Sequence, residues 1–340
     1  MHRFGLVRAA NAAAYLRGFV LSGIATVLVT RASLAQAGYP KVGSGNLHIA
    51  HALWGGLLMA AGVVIAVVFL GRPARMWATV VGGVGFGLFI DEIGKLVHKT
   101  GYFYRPAAGL IYLTFTLLAV LTQRAGGRTL LTPRERTVNA ASAALAGITS
   151  GLTPEERRAA VRLIEEVDGE AQAALLHLLA AAPDRRPATP RPVRTAVARA
   201  RTVAGRLAAH RMVLRVAVCY LVAQGALTMA GVIADDAIVT RAGERETGAV
   251  AAVACCAVVS TVLGAYGLAR LRRDRTAAFR VFNAVVLLDI LAGQVFKFTI
   301  NQFAALSGLA IDLLVAWIIA TELRRLRPGS PRRVPAADRR

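Results

Sequence analysis

Cysteine is scarce in this chain: Cys219, Cys255 and Cys256 are the three present, and each sits in an apolar run. That excludes a disulfide framework and the paired spacing of a zinc site, and it leaves them as small buried hydrophobes. Acidic residues are few as well, 19 Asp and Glu against 41 Lys and Arg, for a formal net charge of +22. Lysine is rarer still. Lys41, Lys95, Lys99 and Lys297 are the only ones. No nucleic-acid motif accompanies the basicity, so no nucleic-acid partner is expected. No strand precedes Gly82, Gly83, Gly85 and Gly87, which excludes a dinucleotide loop and leaves close helix packing in lipid as their use.

What is abundant is apolar sequence. Hydrophobic residues make up 56% of 340 and the mean hydropathy is +0.52. A soluble domain does not average so apolar, and a disordered basic chain is not apolar at all. The expectation is an all-α polytopic membrane protein of about eight spans of roughly 20 residues each. Periodicity and hydropathy place them at 12–30, 47–70, 77–97, 106–123, 212–234, 247–269, 278–298 and 303–322. Of the 41 Lys and Arg, 31 fall in the N-terminus, the 71–76 loop, 124–211, the 270–280 loop and the C-terminus. By the positive-inside bias, both termini and 124–211 are cytoplasmic in a cell inner (plasma) membrane. The bilayer is then the first partner, and the anionic lipids of its inner leaflet are the second. Ala35-Gln36-Ala37 after the first apolar run also fits a signal-peptidase site; an uncleaved helix is the preferred reading.

Four regions follow: a membrane half at 1–123, a cytoplasmic helical module and linker at 124–211, a second membrane half at 212–326, and a basic disordered tail at 327–340. Thr132-Pro133-Arg134-Glu135 and Thr153-Pro154-Glu155-Glu156 are helix starts, with a Thr cap, Pro in the first turn and acidic residues beside it. Leu163, Ile164, Ala171, Leu175, Leu176 and Leu179 suit amphipathic helices, and Pro183, Pro187, Pro190 and Pro192 mark a stiff linker. The module offers a surface for a cytoplasmic protein partner. An offset of 198 lays Leu88-Phe-Ile-Asp91 over Val286-Leu-Leu-Asp289, Lys99 over Lys297 and Arg72 over Arg270. This predicts two four-helix parallel repeats. The second half keeps Asp289, Gln294, Lys297, Asn301 and Asp312, a sparser polar set than the first.

The densest polar cluster lies in the first half. His48 and His51 are three apart and share a helix face. Asp91, Lys95 and His98 follow i, i+4, i+7, with Glu92 beside them and Tyr104 and Arg105 in the next turn. A lipid-facing Asp or Lys costs about 2.5–3.5 kcal/mol at a helix centre, so these groups pair, line water or bind something. Pairing of Asp91 or Glu92 with Lys95 is one outcome. A metal site is another, with His48, His51, Asp91 and Glu92 as ligands of a divalent metal such as zinc. Glu92 or Asp91 then serves in catalysis, and Lys95, His98, Tyr104 and Arg105 meet substrate.

His48-x-x-His51, GFGLFIDEIGK and YFYRPAAGLIY together resemble a family of bacterial multi-pass membrane proteins with no established activity. The resemblance covers roughly 47–113 and implies a site there, without implying a reaction. A looser similarity is to ceramidase-like membrane hydrolases, which use His, Asp and a metal at spacings that differ from these. Three functions remain open: a metal-dependent hydrolase of a lipid-like substrate, a transporter or proton- or ion-coupled carrier, and a non-catalytic structural or sensory protein.

Overall fold

A computed structural model describes residues 7–36, 51–96, 106–125, 131–165, 169–185, 191–234 and 244–326. These are almost entirely helical, with one isolated pairing of Leu152 and Asp184 as the only strand-like contact among them. Seven helices among the described residues are long and apolar enough to cross a membrane, and mark this as a multi-pass membrane protein. Of the expected span 47–70, only the part from His51 is described, and Ala52–Val68 is a shorter apolar helix. The chain divides into two compact units, residues 1–102 with 114–190, and 103–113 with 191–340.

The first unit contains α1 (Ala12–Gln36), α2 (His51–Val68) and α3 (Arg72–Leu96). Gly71, at φ 94°, reverses the chain between α2 and α3 in a conformation few other residues adopt. The two helices then pack with little between their backbones. A Cβ on Gly85 would stand 2.6 Å from the Gly55 carbonyl oxygen and 2.7 Å from the Met59 nitrogen. On the other side of α3, a Cβ on Gly87 would stand 2.6 Å from the Gly23 carbonyl oxygen of α1. The glycine stripe therefore serves helix contact, as small residues do in lipid. The last part of α4 (Pro106–Ala125) joins this unit, where Phe115 meets Phe86 edge-on at 5.8 Å.

Helices α5 (Pro133–Ser150), α6 (Pro154–Ile164) and α7 (Glu170–Ala181) complete the unit. Both expected starts are capping boxes, Thr132 with Glu135 and Thr153 with Glu156. Ala140, Ala144, Ile164, Leu175 and Leu179 form a small buried core, whereas Leu176 is exposed. Pro183 closes this bundle rather than opening a linker: its carbonyl accepts the Leu152 N–H at 2.9 Å. The lead-in to α1 is clamped to α5 through Arg8 and Glu135 at 2.9 Å and Asn139 Nδ2 donating to the Arg8 carbonyl at 2.8 Å. The Arg8 guanidinium, and then the Thr132 N–H, hold the Glu135 carboxyl well below the usual carboxylate range.

The second unit contains α8 (Arg191–Ala208), α9 (Arg211–Ala234), α10 (Glu244–Arg270), α11 (Arg275–Leu288), a single π turn (Asp289–Gly293), α12 (Gln294–Ile300) and α13 (Gln302–Leu326). Pro192 opens α8 instead of extending a linker, because a first-turn proline lacks only an N–H that the helix does not use. Asp274 caps α11 by accepting the Ala277 N–H at 2.9 Å. Phe279, Phe282, Leu221, Val286 and Ile319 make the core of this unit. Its far end is tied by Arg275 to Glu322 at 2.8 Å. Asn301 separates α12 from α13, and its Oδ1 accepts the Ala304 N–H at 3.2 Å.

Candidate functional site

Two sets of polar side chains lie within the apolar helices, one in each unit. In the first, Asp91 and Glu92 are 2% and 3% exposed, adjacent on α3. One partner of Asp91 comes from α1: Arg31 Nε donates to Asp91 Oδ1 at 2.6 Å. Arg31 lies just past the end of the apolar run taken as the first span, and α1 continues through it to Gln36. A buried carboxylate with a charged hydrogen-bond donor is far less costly than a bare one. His51 opens α2 and Lys95 falls near the end of α3, and their side chains are outside the described set. His48, His98, Tyr104 and Arg105 also lie outside the described residues. Among the described residues, no three His, Cys, Asp or Glu side chains are grouped to hold a metal.

In the second unit the polar residues form one connected network. Gln224 of α9 donates through Nε2 to Asp289 Oδ2 at 2.7 Å and to Asp312 Oδ1 at 3.2 Å. Lys297 Nζ contacts both oxygens of Asp289, at 2.9 and 2.8 Å. Gln294 Nε2 donates to Asp312 Oδ2 at 2.6 Å. Asp289, Asp312 and Gln294 are buried.

The π turn makes this possible. Lys297 follows Asp289 by eight residues, which on a regular α-helix would rotate it about 80° away, at roughly 100° per residue. The π turn absorbs one residue, so eight positions act as about seven and the two side chains come within about 20° of one another. The lysine stem, leaning toward the helix N-terminus, then reaches back to the carboxylate. The same shift brings Gln294 round toward Asp312. In the turn, Gln294 N–H donates to the Asp289 carbonyl in place of the usual Ile290 carbonyl. The Tyr112 hydroxyl, from the start of α4, donates to that Ile290 carbonyl at 2.6 Å. Tyr112 also stacks on Phe298, with centroids 4.7 Å apart and planes 13° from parallel. Gly293 leaves room for the carboxylate: a Cβ there would stand 2.4 Å from Asp289 Oδ1.

The chain matches no family model, no curated protein and no solved structure. Its chemistry is therefore read from the network itself. Two carboxylates face one ammonium, so a fully ionised network lacks one positive charge. In a low-dielectric setting such a deficit is costly, and a proton or a small cation removes it. Tyr220 faces Asp312, and Cys256 lies beside Asp289.

Four of the five polar residues noted in the second half, Asp289, Gln294, Lys297 and Asp312, are brought together here. Asn301 is the fifth, and it serves instead as the start of α13. Sequence patterning does not single out Gln224, Tyr112 or Arg31. For Gln224 a signal existed: it is an amide in the apolar run 212–234, where the same burial cost applies as to the carboxylates.

Proposed function

We propose that the protein is a proton- or ion-coupled membrane carrier, with Asp289 and Asp312 binding the coupling cation and Lys297 as their counter-charge. The observation that carries this reading is the Gln224 amide donating to both carboxylates, with a single lysine held by one of the two acids. Intramembrane ionisable groups of this kind are used for ion and proton pathways. The π turn beside them is a further mark of function, since the insertion weakens the helix locally. In this reading both termini and 124–211 are cytoplasmic in the inner membrane, the two halves are duplicated four-helix units, and the basic segments meet anionic lipids.

Purified protein in vesicles that trap a pH-sensitive dye tests the reading. Wild type should dissipate an imposed pH gradient faster than protein-free vesicles. Asp289→Asn and Asp312→Asn should each return the rate to that of the protein-free control. Flux at the wild-type rate in both variants would sink the proposal.

A second reading rests on Asp91 and Glu92, two adjacent buried carboxylates on α3. With His48 and His51 they would hold a divalent metal such as zinc for hydrolysis of a lipid-like substrate. Elemental analysis after mild purification should then find about one metal per chain, lost in His51→Ala. A metal content unchanged by that substitution removes this reading.

A further inference from the structure

A small cavity lies against Asp289, between α9, α10 and α11. Its volume is about 10 Å³, the space of one water molecule. Gln224, Thr228, Ser260, Asp289 and Lys297 supply its polar lining. Ser260 is 6% exposed, and its Oγ has no hydrogen-bond partner among the described residues. Its neighbour Thr261 behaves as helical hydroxyls usually do, donating to the Ala257 carbonyl at 2.8 Å. Ser260 makes no such bond, so its oxygen stays available at the cavity wall. A buried hydroxyl without a partner is rare and calls for an explanation.

Resting on the carrier reading, we propose that this cavity is a binding site for a small alkali cation, Na⁺ or Li⁺, held by Ser260 Oγ and the Asp289 carboxylate. Hard cations of this kind take oxygen ligands. The wall presents hydroxyl and carboxylate oxygens beside the Lys297 ammonium, so the entering cation displaces Lys297 from one Asp289 oxygen. The charge count fits. Asp289 and Asp312 carry two negative charges and Lys297 one positive, so one monovalent cation brings the network to neutrality. A proton on either carboxylate does the same. The two cations therefore compete: one Na⁺ enters as one H⁺ leaves, and the net charge is unchanged. The titratable groups facing this exchange are Asp289, Lys297, Asp312, Tyr220 and Cys256.

The test uses the full chain in detergent, with thermal unfolding followed in NaCl, LiCl or choline chloride at equal ionic strength. Na⁺ and Li⁺ should raise Tm above the choline value, because a ligand bound only to the folded state stabilises it. The Na⁺ concentration giving the half-maximal shift should fall about tenfold per pH unit across the range where the proton competes. Ser260→Ala should unfold at the wild-type temperature in choline at low pH, and need about tenfold or more Na⁺ for the same shift. An identical Tm in NaCl and choline at every pH would overturn the inference, as would an undiminished Na⁺ shift in Ser260→Ala. Vesicle flux keeps the two proposals apart. Flux without a Na⁺ shift ends the cation site alone, and a Na⁺ shift without flux ends the carrier reading alone.

Discussion

Lys297→Met is expected to destabilise the second unit by about 3–5 kcal/mol, the loss seen when one member of a buried ion pair is removed. The lysine contacts both Asp289 oxygens at 2.9 and 2.8 Å, and the methionine that replaces it would fill the space without supplying a donor. Asp289 would then keep the shared Gln224 amide and lose its ammonium, with the Asp312 carboxyl still beside it. The effect belongs to the pair rather than to lysine packing. Lys297→Met combined with Asp289→Asn should therefore regain most of the loss, and a double-mutant cycle in detergent unfolding measures the coupling. If the double variant is no more stable than Lys297→Met alone, the ion pair does not account for the effect.

Gly85→Val should be comparably severe in the first unit, costing about 3 kcal/mol, the upper part of the range for overpacked sites. The atoms that a side chain would meet are the Gly55 carbonyl oxygen at 2.6 Å and the Met59 nitrogen at 2.7 Å. Both are backbone atoms of α2, so no rotamer change relieves the clash and the two helices must separate. Gly56 is the internal control. A Cβ there meets nothing within 4 Å, so Gly56→Ala should change stability by no more than about 1 kcal/mol, within the spread of helix propensity. Equal effects at the two positions would show that α2 and α3 do not depend on close approach.

The sequence shows the helical membrane architecture because burial in lipid imposes it residue by residue. Runs of apolar side chains have no other use at that length, and the Thr-Pro-x-Glu starts of α5 and α6 are local chemistry that needs no tertiary information. The pairing of charges was less legible. The sequence places Lys95 one turn from Asp91, and the Lys95 side chain lies outside the described set; nothing in the sequence hints at Arg31, sixty residues away on another helix, which donates to Asp91. Helical spacing ranks partners on the same helix and is silent about those on its neighbours. The second-half network was hidden for a related reason. Asp289 and Lys297 are out of phase on a regular helix, and no residue in Asp289–Gly293 announces a π turn. Asp312 and Gln224 lie on other helices, so their approach depends on packing that periodicity does not encode.

The extra residue in the π turn sets how this site can be lost in evolution. Most substitutions along α11 and α12 leave the helical phase untouched, so the network tolerates drift in the apolar residues around it. Deleting a single codon within Asp289–Gly293 would do the opposite. The ladder would return to regular α-helical bonding, a local gain, while Gln294, Lys297 and Phe298 all rotated by about 100°. Lys297 would leave Asp289, and Phe298 would leave Tyr112. A lineage that abandoned the function would find this deletion open to it, and a helix of uniform pitch at this place in a descendant would be the trace it left.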